Sequence, residues 1–150
     1  MTNNILAYAE MTLDYGVMGL LILMSIVTLW LFIERMMFYN TVRIDDYNHR
    51  DKLEMDLTDN ISVISAIGSN APYVGLLGTV IGIMLTFYTM GDVGTIDAKK
   101  IMVGLALALK ATAMGLVVAM PAIVAYTILL RKVEKILTVW DIKKDRRAHV

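Results

Sequence analysis

Two stretches without a single charge fix most of what this chain can fold into. Residues 16–33 and 71–90 contain no Asp, Glu, Lys or Arg. Within the second, Gly75, Thr79, Gly82 and Thr86 recur at steps of four, three and four. A further apolar run, 110–126, continues a similar set that starts at Gly104. That set is Gly104, Ala108, Thr112, Gly115, Ala119 and Ala122, with steps of 4, 4, 3, 4 and 3. Such steps keep residues on one helix face. In lipid, small residues let helix backbones approach closely and pack by van der Waals contact. A hydroxyl inside such a stripe faces a neighbouring helix or a wet cavity, not lipid.

Composition supports a membrane protein. Charged residues are 19% of the chain against about 25% in soluble domains, 57% of residues are apolar, and mean hydropathy is +0.62. The charges are segregated rather than interspersed, which separates membrane spans from a soluble core. The absence of cysteine excludes disulfides, thiolate metal sites and thiol nucleophiles. His49 and His149 lie in polar segments without metal-ligand spacing. No Ser/His/Asp set, pocket pair of carboxylates or phosphate loop is visible. The reading is therefore not an enzyme, with no catalytic residue, cofactor, metal or nucleic-acid partner.

In chain order, residues 1–16 read as an amphipathic segment on the membrane surface. Ile5, Leu6, Ala9 and Leu13 share a face, with Glu10 and Asp14 off it. Gly16 and Gly19 are expected to break it. There is no basic start and no evident cleavage site, so the first apolar run is expected to be a retained anchor. Residues 17–33 form the first span, about 25 Å long at about 1.5 Å per residue. It is bulky all round and is expected to face lipid on the outside of a bundle. Trp30, Phe38 and Tyr39 suit an interfacial belt. Residues 34–70 form a cytoplasmic loop with seven acidic and four basic side chains. Within it Thr58-Asp59 is expected to cap a helix marked by Ile61, Ile64 and Ile67, leading to Pro72. Residues 71–90 are the second span, 91–100 a periplasmic turn and 101–130 the third span. Residues 131–150 are a cytoplasmic helical tail whose Val133, Ile136, Leu137 and Trp140 share a face. Its basic end, 143–147, is expected to be loose.

Lys and Arg number none before the first span, four in 34–70, two in 91–100 and seven from Arg131 onward. The positive-inside rule then puts loop 34–70 and the C-terminus in the cytoplasm and the N-terminus outside.

Thr79, Thr112 and Thr86 are the candidate lining of a polar path that relays protons or orders water. The competing reading is a threonine bonding its own i−4 carbonyl in a tight helix pair. Gly75, Gly78, Gly82, Gly104, Ala108, Gly115 and Ala119 are expected to pack helices. Lys110 lies about 200° round the helix from Thr112 and so points away from the threonine stripe. It either snorkels to the headgroups or meets a partner charge or a watery cavity. Glu34-Arg35 reads as an interface marker. One chain has too few helices to enclose a pore, so a pore requires several copies.

Residues 71–87, Ala-Pro-Tyr-Val-Gly-Leu-Leu-Gly-Thr-Val-Ile-Gly-Ile-Met-Leu-Thr-Phe, resemble a family pattern, A-P-x-x-G-L-x-G-T-V-x-G-[IM]. Residues 111–126, Ala-Thr-Ala-Met-Gly-Leu-Val-Val-Ala-Met-Pro-Ala-Ile-Val-Ala-Tyr, resemble A-T-A-x-G-L-x-x-A-x-P-A-x-x-x-Y. Both belong to the MotA/TolQ/ExbB family of proton-driven channels, and the likeness covers about residues 5–142. The resemblance implies an all-α integral membrane protein of the bacterial inner membrane, with three transmembrane helices and long cytoplasmic helical extensions. It implies a pentamer around a pore that holds two copies of a single-span ExbD-like partner, whose aspartate lies in the membrane. Proton flow would then energise a TonB-like protein for uptake of iron chelates, vitamin B12 or metals across the outer membrane. The family's two pore threonines fall on Thr79 and Thr112. The glutamate that many members carry five residues earlier is Leu107 here, which leaves the titrating carboxylate to the partner. Alternatives are a TolQ-like role in envelope maintenance and a structural membrane scaffold without ion flow.

Overall fold

The structure, a computed structural model, describes residues 2–91 and 97–149, with the backbone alone for residues 2–7, 9 and 10. The described residues are almost wholly helical: α1 (Thr2–Thr41), a 3-10 turn (Ile44–Asp46), α2 (Arg50–Thr58), α3 (Ile61–Gly91) and α4 (Ala98–Ala148). Segments Met11–Thr41, Ile61–Gly91 and Ala98–Ala148 are each long and apolar enough to cross a membrane. The expected turn after α3 falls largely on residues 92–96, outside the described residues. Asp97 then caps α4, its carboxylate accepting from the Lys99 and Lys100 amides.

α1 is unbroken from Thr2, so the expected division at Gly16 and Gly19 is not there. Glycine weakens a helix by only about 1 kcal/mol relative to alanine. In lipid the alternative, backbone groups without partners, costs several kcal/mol each. The Ile5, Leu6 and Ala9 side chains of the expected surface face lie outside the described side chains. Pro72 and Pro121 are likewise carried inside helices.

α4 supplies the spine. Its buried positions, Ala108, Ala111, Gly115, Val118, Ala119, Ala122, Ala125, Leu129, Val133, Leu137 and Trp140, advance mostly by three and four. They form one face that runs the length of the helix. Its upper part packs with Leu21, Ile67 and Ala71. Its lower part packs with Tyr39, Leu53, Leu57, Ile61 and Ile64. α1 leaves most of its bulk outward, with Leu20, Ile22, Leu23, Ile26, Leu29 and Trp30 exposed.

The polar end is more ordered than its sequence suggests. Thr58 is the last residue of α2, and its hydroxyl donates back to the Glu54 carbonyl. Thr58-Asp59 thus ends one helix rather than capping the next. A helix leaves its last four carbonyls without internal partners. Two of α2's are met from α1: Arg35 Nη1 donates to the Asp56 carbonyl at 3.1 Å and the Tyr39 hydroxyl to the Leu57 carbonyl at 2.7 Å. Tyr39 is therefore buried and not part of an interfacial belt. Arg35 is also buried, paired with Glu34 and stacked over Phe38.

The basic end of α4 is not loose. It stays helical to Ala148. Lys143 and Arg147 pair with Asp45 at 3.0 and 2.9 Å, and Arg50 reaches Asp141. Trp140 Nε1 donates to the Tyr47 carbonyl.

Candidate functional site

The two small-residue stripes meet each other within one chain. Gly75 lies so close to α4 that a Cβ there would stand 2.6 Å from the Ala111 carbonyl oxygen. On Gly115 a Cβ would stand 2.7 Å from the Ala71 carbonyl oxygen. Gly82 abuts Ala108, and Gly104 abuts Thr86. Gly78 lies against both Ala111 and Val17 of α1. Ala119 is buried beside Ala71 and Ala122. The glycines thus bring the α3 and α4 backbones together along the seam.

The threonines sit in that seam. Thr79 is buried, and its hydroxyl contacts Thr112 Oγ1, the Ala108 carbonyl at 2.9 Å and the Gly75 carbonyl at 3.3 Å. A hydroxyl has one proton and two lone pairs. The better-placed acceptor for the Thr79 proton is the Ala108 carbonyl of the opposite helix, so Thr79 accepts from Thr112. The Thr112 proton is then committed, while its oxygen keeps free acceptor capacity. Thr112 is only half-buried. The arrangement presents an acceptor to water or to a protonated carboxyl group. Thr86 differs: its hydroxyl bonds its own Gly82 carbonyl at 2.8 Å, four residues back. That is the local pattern weighed against a pathway role.

Lys110 points away from this contact and meets α1. Its Nζ lies 3.6 Å from Asp14 Oδ2, both side chains being about half-exposed. A cavity of about 550 Å³ opens beside the pair. Asp14, Val17, Gly82, Thr86, Ala108 and Lys110 are among its lining residues. Leu107 lines it too, so this wall of the cavity is hydrocarbon.

Among the described residues no three His, Asp or Glu side chains gather as metal ligands, and no buried side-chain nitrogen or oxygen is left without a partner. Outside the spans, the hydrogen bond from Lys143, with Arg147 beside it, holds the Asp45 carboxyl below its ordinary range. Hydrogen bonding to Asp56 pushes the Tyr47 phenol up. Sequence reasoning missed Arg35 and Tyr39 as caps. The available signal was their i, i+4 spacing at the end of a span, which places both on one face.

Known proteins give the arrangement a context. A putative biopolymer transport protein ExbB-like 2 of Helicobacter pylori is 56% identical over 129 residues, 86% of either chain. A biopolymer transport protein ExbB of Aquifex aeolicus is 50% identical over 129 residues, 86% of this chain and 87% of its own. A Pseudomonas putida protein of the same name is 42% identical over 78 residues, 52% of this chain and 24% of its own. Residues 32–142, which include the whole α3–α4 seam, match the model of the MotA/TolQ/ExbB proton channel family. With that match and relatives at half identity or more over most of its length, the chain belongs to the MotA/TolQ/ExbB proton channel family.

Proposed function

We propose that this chain is the multi-pass subunit of an inner-membrane proton channel that works with an ExbD-like single-span partner. Several copies, five by the family resemblance, surround the partner. The proton motive force drives the assembly, which passes energy to a TonB-like protein for transport across the outer membrane. The N-terminus is periplasmic, and the end where α2 meets the tail of α4 is cytoplasmic.

The observation that carries this reading is the Thr112–Thr79–Ala108 hydrogen-bond chain inside a seam of glycine and alanine. It has no carboxylate of its own. Its free acceptor on Thr112 favours a neutral, protonated acid over a carboxylate, since only the former has a proton to give. Burial acts in the same direction by raising a carboxyl pKa. A partner acid beside Thr112 would therefore hold its proton while dry and release it on meeting water. That is the elementary event of a gated proton path.

The biopolymer-transport names of the relatives favour this use over envelope maintenance. The test is proton flux into vesicles. Vesicles with this chain and its partner are expected to conduct, and vesicles with the chain alone to conduct little. Strong conduction by the chain alone would overturn the assignment of the acid to the partner. None in either case would leave only a scaffold.

A further inference from the structure

Asp14 and Glu34 enclose 19 residues of α1 without charge, and Lys110 and Arg131 enclose 20 residues of α4 without charge. At about 1.5 Å per residue each run is about 30 Å long, the thickness of a bilayer's hydrocarbon core. The two runs lie in register. Asp14 meets Lys110 at one end, and Met36 meets Lys132 through an Nζ–Sδ contact of 2.9 Å at the other. Both contacts join residues 96 positions apart. The helices are therefore parallel and matched at two levels, one bilayer thickness apart. The Asp14–Lys110 pair stands at one of these levels, with the charge-free residues 101–109 of α4 continuing past it. The Thr79–Thr112 contact lies within one turn of the pair, and the Thr86–Gly104 contact lies on its other side, among the charge-free residues 80–90 and 101–109.

We propose that Asp14 and Lys110 are a positioning pair that sets the depth and seat of α1 against α4. Their pairing walls the cavity whose lining reaches Ala108, the residue whose carbonyl accepts from Thr79. Neither side chain touches the hydroxyl chain itself. They act through α1, whose Val17 rests on Gly78 one turn further in. A charge at this level that loses its partner must reach for headgroups or water. Lys110 has a flexible stem that allows this; Asp14 has almost none. Loss of the pair would therefore let the start of α1 lift and the cavity open beside Ala108. The seat stands on the fold, while its consequence for conduction rests on the channel reading above.

Thermal unfolding of the full chain in detergent tests the seat without reference to transport. Asp14→Asn and Lys110→Met, the second keeping the stem, should each lower Tm by about 2–4 °C for a chain of this size. The double variant should fall no further than either one. Lys110→Arg and the exchanged pair, Asp14→Lys with Lys110→Asp, should return most of the loss. Unchanged Tm in the single variants, additive losses in the double, or an exchanged pair as unstable as the singles would each overturn the proposal. The same variants in vesicles with the partner separate the two readings. Flux lowered in the singles and recovered in the exchange supports the link to conduction. Flux absent from the unaltered chain with its partner, together with the expected pattern in Tm, refutes the channel and leaves the seat standing.

Discussion

Gly75 and Gly115 face each other across the α3–α4 seam so closely that a Cβ on either would stand 3.0 Å from the other's Cα. In each case a backbone carbonyl is nearer still, at 2.6 or 2.7 Å. Backbone cannot rotate away as the tip of a side chain can, so a single methyl group must push the helices apart.

Gly75→Ala and Gly115→Ala are accordingly expected to destabilise the chain by about 1–3 kcal/mol, the usual cost of overpacking. Gly19→Ala is the control. Nothing lies within 4 Å of a Cβ there, and removing glycine from a helix interior gains about 0.5–1 kcal/mol. Thermal unfolding in detergent should show opposite signs. Equal effects at positions 19 and 75 would mean that the seam is not as close as described.

Thr79→Val and Thr112→Val keep shape and remove a hydroxyl, but they are not equivalent. Thr79 is the buried link between Thr112 and the Ala108 carbonyl. Its loss removes both contacts, at about 1 kcal/mol for each net hydrogen bond. Without Thr112, Thr79 still donates to Ala108. The stability loss should therefore be larger at 79, while energised uptake falls in both. If the hydroxyls serve one chain, the double variant is less than additive in uptake. Normal uptake at normal protein level with both replaced would assign the hydroxyls to packing alone.

Tyr39→Phe removes the donor to the Leu57 carbonyl at the end of α2. A buried carbonyl left unpaired costs about 1–3 kcal/mol. The loss should appear as faster amide exchange in residues 50–58, with the spans unaffected. Unchanged protection of α2 would show that water replaces the phenol.

The contact between the Asp45 carboxylate and Lys143 and Arg147 predicts a pH step. The folded pKa of Asp45 is lowered, first by the Lys143 hydrogen bond. Its contribution is therefore fully present above the ordinary aspartate value of about 3.9. It is lost as pH falls through the depressed folded value. Trp140 lies beside this contact, with the Lys144 ammonium 4.6 Å from its ring centre. In a Trp30→Phe background, Trp140 emission should shift as pH falls below about 3.9, and Asp45→Asn should abolish that step. A step that persists in Asp45→Asn belongs to another carboxylate.

Much of this protein was decided by local chemistry that the sequence displays openly. Long charge-free runs must become helices in lipid, because each backbone group has to find its partner within the segment. Gly75, Thr79 and Gly82 share a face with Thr86 simply through steps of three and four. Val133, Leu137 and Trp140 were legible for the same reason, and all are buried. The partner of each face depended on the tertiary structure. The two stripes meet each other within one chain because α3 and α4 follow one another and cross closely enough for glycine backbones to touch. No spacing rule states this, since a stripe is equally suited to another copy. Lys110 found Asp14, and Arg35 and Tyr39 found the end of α2, through contacts between segments 18 to 96 residues apart. Periodicity describes one helix at a time. The depth at which two helices lie against each other, and hence which charges meet, is set only when the whole bundle packs.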